Sequence, residues 1–269
     1  MDNRPPIAFS VDLSAEHAAR WLFARDGTWP RTPQAGDPLP MSWAVFLRLQ
    51  PILGVRIHDL LDRDPHRGLY GGVVYRASRP LTVGQRLDAT ATVTDRREID
   101  SPRGRLQVTT LTTVYRDGGE PVLEEAVQMI DLPASPPSPE SRPLAQAQPA
   151  SPPAGQAIAA LEQGFDRTRI AWMTAATGDT NPLHLDRHYA ARRGFDDVVV
   201  PAPLITAWVE QALVTRHQGA ALSLLELRFQ GATLPDQSLS LHGSESAGPD
   251  RIELRSGDQV RARGRYAIG

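Results

Sequence analysis

The stretch TGDTNPLHLDRHYA, residues 177–190, closes one helix, turns, and opens another. Thr177 and Gly178 end the preceding helix, since glycine takes the left-handed conformation that stops one. Pro182 blocks a continuous helix and forces the residue before it into extended backbone. Asp186 can cap a short new helix, which Gly194 ends. Asp179 and His184 therefore sit on a kinked loop between two helices. That geometry can point a carboxylate and an imidazole into one cavity, a pairing suited to acid–base work near neutral pH. On spacing alone a second reading stays open, in which Asp179 caps a turn and His184 is a satisfied, half-buried histidine.

Working outward, the C-terminal half reads as helix, short helix, long helix and then strands. Asp166 caps a helix over Arg167–Thr177, and Leu204–His217 is a long apolar helix. Strands are predicted at Leu224–Gln230, Ser238–Ser244, Arg251–Arg255 and Gln259–Ile268. The N-terminal half has the same order. Ser14 caps a helix over Glu16–Ala24, and Met41–Leu49 is a second, apolar helix. Strands follow at Leu87–Asp95, Leu106–Tyr115 and Val122–Ile130, the last two joined by a hairpin turn at Asp117-Gly118-Gly119.

Between the halves lies PASPPSPESRPLAQAQPASPPAG, residues 133–155, which has almost nothing to bury and reads as an extended linker. The predicted organisation is an N-terminal unit at 1–132, the linker at 133–155 and a C-terminal unit at 156–269. A shift of 152 positions superposes Arg76 on Arg228, Gln85 on Gln237, Leu87 on Leu239, Ala24 on Ala176, Thr28 on Thr180 and Pro30 on Pro182. With the repeated element order, this favours duplication of one helix-then-sheet unit. At that shift Gly27 falls on Asp179 and Thr32 on His184, so the N-terminal unit lacks the pair and one active site per chain is expected.

Composition narrows the chemistry. The 269 residues carry a formal charge of −2 with no run of one sign, which disfavours nucleic acid and anionic membrane as partners. All basic side chains are arginine; without lysine there is no Schiff-base and no P-loop lysine chemistry. Without cysteine there is no thiolate nucleophile, disulfide or cysteine-bound metal. No apolar run approaches the ~20 residues that span a bilayer, and MDNRPPIAFS lacks a signal pattern. A soluble, cytoplasmic protein is expected.

The longer string TGDTNPLHLDRHYAARRGF resembles the signature of the MaoC-like family of (R)-specific enoyl-thioester hydratases and dehydratases. Gly178, Asp179, Asn181, Pro182, His184, Asp186, Ala190, Gly194 and Phe195 all fall in place. The N-terminal LYGGVVYRASRPLTVGQRL is similar to the degenerate second unit of single-chain members. The resemblance implies an α+β chain of two hot-dog domains, each a long helix wrapped by a curved antiparallel sheet, packed as a pseudo-dimer. It implies Asp179 and His184 as the catalytic pair, with Asn181 holding the loop. They would activate water for addition to the β-carbon of a trans-2-enoyl thioester and protonate the α-carbon; the reverse reaction dehydrates a (3R)-3-hydroxyacyl thioester. The N-terminal unit would build part of the acyl tunnel. No metal or organic cofactor is implied, because the thioester already acidifies the α-proton. The partner is an acyl-CoA or acyl-carrier thioester, and a monomer and a homodimer both remain open.

One position departs from the family pattern. Where a His-Gly step usually precedes the long helix, this chain has Pro201-Ala202, followed by Pro203-Leu204. The family's glycine amide helps hold the thioester oxygen, and Ala202 retains an N–H for that role; Gly178 is a second candidate for substrate binding. The Pro203-Leu204 step is similar to that of relatives with a His-Gly-Pro-Leu sequence, and this resemblance implies short, branched or carboxylated acyl groups of the mesaconyl type. The replacement also keeps a rival reading alive, a non-catalytic hot-dog protein that binds a thioester or supports a partner; a hot-dog thioesterase is the third. Other residues carry two readings each. His188 is a metal ligand with His184 or a solvent-facing helix residue. Arg192 and Arg193 meet CoA phosphates or form a solvated helix end. Trp21, Trp29, Trp43, Tyr70 and Trp208 shape the pocket or pack the core. Glu210 lies on the long helix without an assigned role.

Overall fold

The computed structural model describes residues 5–28, 31–45, 64–101, 104–133 and 155–269. The first helix, α1 (Ala15–Asp26), starts where the Ser14 hydroxyl accepts the His17 amide at 3.2 Å. It buries Ala18, Trp21 and Ala24 and ends at Gly27 in the left-handed region, φ 74°. In the second half, α2 (Arg167–Thr177) starts where Asp166 accepts the Arg169 amide at 2.8 Å and ends at Gly178, φ 69°. Two further helices follow, α3 (Arg187–Arg192) and α4 (Ala202–Arg216). The predicted helix at Met41–Leu49 begins as a short 3-10 turn over Met41–Trp43, and residues 46–49 lie outside the described residues.

The strands are β1 (Ile7–Asp12), β2 (Pro38–Leu39), β3 (Gly68–Ala77), β4 (Leu81–Thr82), β5 (Arg86–Ser101), β6 (Gly104–Asp117), β7 (Glu120–Asp131), β8 (Gln156–Leu161), β9 (Leu222–Phe229), β10 (Leu239–Ser244), β11 (Asp250–Ser256) and β12 (Gln259–Ile268). Ten of them make one antiparallel sheet in the order β1-β5-β6-β7-β3-β9-β12-β11-β10-β8. The order is a mirror image about the β3–β9 seam, as duplication requires. The edge strands β1 and β8 were not anticipated from the sequence; each has 6 residues, and none of them is fully buried.

The seam places the symmetry axis. Val74 stands directly opposite Glu226 in the antiparallel pairing of β3 and β9, and these positions are 152 apart. Hydrogen bonds repeat with the same shift. The Thr82 amide donates to Gln85 Oε1 at 2.8 Å, and the Leu234 amide to Gln237 Oε1 at 3.0 Å. The Gly84 amide donates to the Leu13 carbonyl, and the Asp236 amide to the Phe165 carbonyl. One expectation needs correction: the left-handed caps make Gly27 the counterpart of Gly178, not of Asp179. The α2 helix is one residue shorter than α1, so the shift slips by one at the helix ends. Thr28 then holds the place of Asp179, and the N-terminal unit still lacks the pair.

The curved sheet wraps α4. Its Leu204, Ala207, Val209 and Leu213 are buried against Leu225, Leu227, Leu241, Leu254 and Tyr266 of the C-terminal strands. The same apolar cluster runs through Trp21, Trp43, Tyr75 and Tyr115 of the N-terminal half, so the two halves share one core. Burying each such side chain stabilises by about 1.5–3 kcal/mol. This continuity fixes the relative placement of the halves and with it the cavity between them.

Candidate functional site

The loop after α2 is built from local hydrogen bonds that its sequence specifies. The amides of Gly178 and Asp179 both donate to the Thr174 carbonyl, closing the helix. The Asn181 side chain accepts the Leu183 amide at 3.0 Å and caps a 3-10 turn over Pro182–His184. Asp186 then accepts the amides of His188 and Tyr189 and starts α3. Beneath the loop, Leu183, Ala190, Phe195 and Val199 form a small apolar cluster that pins it.

This scaffold brings Asp179 and His184 together. Asp179 Oδ2 lies 3.5 Å from His184 Nε2, and the side chains are 17% and 11% exposed. The other oxygen, Asp179 Oδ1, accepts the Asn181 amide at 2.9 Å, so one carboxylate oxygen is held and the other faces the imidazole. His184 Nδ1 lies 2.7 Å from the Val199 carbonyl oxygen. A carbonyl only accepts, so Nδ1 carries a proton and Nε2 is the nitrogen turned toward Asp179 and the cavity. Asn181 also donates from Nδ2 to the Gly68 carbonyl at 2.9 Å, tying the loop to the first residue of β3 in the other half.

The pair opens onto a cavity of about 170 Å³. Its wall is mainly apolar, with Tyr70 and Met129 from the N-terminal half and Phe195, Val200, Ile205 and Phe229 from the C-terminal half. Asp179, Asn181, His184 and Ala202 all line it, and Gly178 does not. The Gly178 amide is already engaged with Thr174, so its role is to end the helix. At the start of α4 the donors are sparse. Pro203 has no N–H, and the amides of Leu204 and Ile205 turn back to the Pro201 carbonyl at 3.0 and 3.4 Å. The Ala202 amide, at the first helical position, has no acceptor within its helix and stands at the positive end of the helix dipole.

A bulge positions Tyr70. In the β3–β7 pairing Tyr70 faces Met129 and Gly72 faces Gln128, leaving Gly71 as the extra residue. The bulge shifts the alternation and puts Tyr70 on the face shared with Met129 and Val127. Trp21 and Trp43 are core residues, Trp208 packs at the core's margin, and Trp29 lies outside the described residues. His188 is exposed, and the described residues contain no group of three or more ligating side chains. Arg193 is committed to the Tyr189 hydroxyl and the Pro133 carbonyl, whereas Arg192 is exposed over the Tyr189 ring. The described residues include no helix long and apolar enough to cross a membrane.

Two residues take places that the sequence left unassigned, Glu210, which was named without a role, and Thr233, which was not named. Glu210 is buried on α4 and accepts the amides of Met41 at 2.8 Å and Ser42 at 3.0 Å, bridging the halves away from the cavity. Burial pushes its carboxyl above the ordinary range, against those hydrogen bonds. Thr233, in the loop after β9, lines the cavity and is 1% exposed. Neither carries a local motif, because each is defined by a partner or a void distant in sequence.

Residues 148–259 match the family model described as the MaoC like domain. No curated protein sequence matches the chain. Among solved structures, HtdX of Mycobacterium tuberculosis is 16% identical with a TM-score of 0.72, the match covering 97% of this chain and 99% of that one. A MaoC-like dehydratase from Phytophthora capsici is 16% identical, TM-score 0.69, covering 99% and 96%. A conserved hypothetical protein of M. tuberculosis described as having a double hotdog fold is 14% identical, TM-score 0.60, covering 100% and 96%. At these identities the likeness establishes the fold: this chain is a double hot-dog.

Proposed function

The C-terminal half of the chain carries a MaoC-like domain, and on that premise we propose that the protein is a hydro-lyase acting on an acyl thioester. It adds water reversibly to a trans-2-enoyl thioester and, in reverse, dehydrates the (3R)-3-hydroxyacyl thioester. The observation that carries this reading is the convergence of Asp179 Oδ2 and His184 Nε2, 3.5 Å apart, on a mainly apolar cavity that the Ala202 residue also lines. A water between the two side chains gives a proton to the pair as its oxygen bonds the β-carbon. The pair returns one proton to the α-carbon, so it ends each turnover as it began. Enolate charge on the thioester oxygen is met by the Ala202 amide and the helix dipole behind it.

The cavity's modest volume, about 170 Å³, supports a short or branched acyl group. CoA and acyl-carrier thioesters share the reacting end, and Arg192, exposed on α3, would meet a phosphate of either. The test offers crotonyl-CoA and a panel of short enoyl-CoAs while following enoyl absorbance and free CoA together. Loss of enoyl absorbance without CoA release is expected. Release of CoA would identify a thioesterase, and tight binding with neither change would identify a non-catalytic binder.

A further inference from the structure

We propose that Arg261 is a positioning residue for His184, acting through a chain of hydrogen bonds that ends on the ring's Nδ1. The assignment rests on the hydro-lyase reading above. The Val199 carbonyl that His184 Nδ1 binds shares its peptide group with the Val200 amide, which donates to the Thr233 carbonyl at 2.8 Å. The Thr233 carbonyl in turn shares its peptide group with the Leu234 amide, which donates to Gln237 Oε1 at 3.0 Å. Arg261, on β12, closes the chain. Its guanidinium donates to that same Oε1 at 3.3 Å and to the Ala232 carbonyl at 2.8 Å, so it grips the loop on both sides of Thr233. An amide that donates makes the carbonyl of its own peptide group a stronger acceptor, so the bond on Nδ1 gains from each link. A guanidinium only donates, which keeps Oε1 rather than the side-chain nitrogen of Gln237 turned toward the chain.

The duplication supplies a control. The Gln230 amide donates to the Arg261 carbonyl at 2.8 Å, and 152 positions before Gln230 the Ser78 amide donates to the Val122 carbonyl at 3.1 Å. Val122, on β7, is therefore the counterpart of Arg261, and it is buried in the apolar core. The bond from the Thr82 amide to Gln85 Oε1 forms there without an arginine. The fold thus accepts an apolar side chain at this position. Arg261 is the costlier choice. It is 4% exposed, its Nε has no hydrogen-bond partner among the described residues, and burial draws its guanidinium below the ordinary arginine value with no acidic group opposing. That cost falls in the half that holds Asp179 and His184, on the loop whose residues 230–233 line the cavity.

The experiment uses Arg261→Val, which copies the N-terminal counterpart, and Gln237→Met, which keeps the length and removes the acceptor, singly and together. Proton NMR follows hydrogen exchange of the His184 Nδ1 proton, assigned by its loss in His184→Ala, against exchange of the α4 backbone amides. The kcat is measured on the enoyl-CoA that wild type hydrates best. Wild type is expected to protect the Nδ1 proton. In each variant that proton should exchange faster while the α4 amides keep their wild-type rates, and kcat should fall on the order of 10-fold. The double variant should lose little more than either single one, because both break the same chain. An Nδ1 proton unprotected in wild type, or as protected in both variants as in wild type, would overturn the assignment. So would wild-type kcat in both variants, fully additive rate losses, or exchange that quickens equally in α4, the mark of a merely structural role. If wild type hydrates none of the panel, the hydro-lyase reading itself fails, while exchange still reports whether Arg261 holds His184.

Discussion

His184 Nδ1 is held 2.7 Å from the Val199 carbonyl oxygen, and this bond sets which nitrogen of the ring faces Asp179. Val199 is itself bound back to the loop, its amide donating to the Leu183 carbonyl at 3.0 Å. Ring orientation and loop conformation are thus one unit, and Nε2 already faces Asp179 without prior rearrangement.

Asp179→Asn and His184→Ala should each lower turnover by at least about 10²-fold without unfolding the chain. Neither side chain supports the core, since both line a cavity. Enoyl-CoA hydration rates alongside circular dichroism check this; two well-folded variants with near wild-type hydration would remove the pair from the mechanism.

Asn181→Ala should reduce kcat and stability together. It deletes the donor to Gly68 and the acceptor for Leu183. Leaving those buried groups unpaired costs about 1–3 kcal/mol each. Asn181→Asp keeps the acceptor and loses the donor, so its thermal midpoint should fall between those of wild type and the alanine variant. An alanine variant as stable as wild type would show that the link between the halves carries no energy.

Gly72→Ala should weaken the seam. A Cβ there would lie 2.8 Å from the Leu227 carbonyl oxygen, a backbone atom that cannot swing aside. Overpacking of this kind costs about 1–3 kcal/mol, to be read as a lower denaturant midpoint. An unchanged midpoint would mean that β3 and β9 separate freely enough to admit a methyl group.

Glu210 should make stability fall as pH rises. Burial raises its carboxyl above the ordinary value of 4.5, so the folded chain keeps that proton to higher pH than the unfolded chain does. The stabilisation is complete below about pH 4.5 and is lost as pH rises through the folded-state value. Glu210→Gln removes the titration. The wild-type thermal midpoint minus that of the variant should therefore decline with rising pH and then level off; a flat difference would contradict a raised carboxyl.

Local signals were legible and held. Ser14 and Asp166 cap their helices, Gly178 ends α2, Asp186 opens α3, and β5, β6, β7 and β9 to β12 overlap the predicted strands. The 152-position shift was readable from scattered identities and reappears as the Val74–Glu226 pairing. The shift slipped at Gly27, because one residue of helix length is invisible to a fixed offset. Gly178, a candidate for substrate binding in the sequence, has its amide engaged with the Thr174 carbonyl.

By itself the sequence determined the elements, the repeat and the loop bearing Asp179, Asn181 and His184, because caps, prolines and alternation act within a few residues. Only the tertiary structure decided what surrounds that loop. Tyr70 and Met129 reach the cavity because β3 and β9 join the halves into one sheet, Gly68 receives Asn181 from 113 positions away, and Glu210 finds Met41 across 169. Such contacts follow from one shared core closing around both halves, and no local pattern encodes a partner that packing alone brings near.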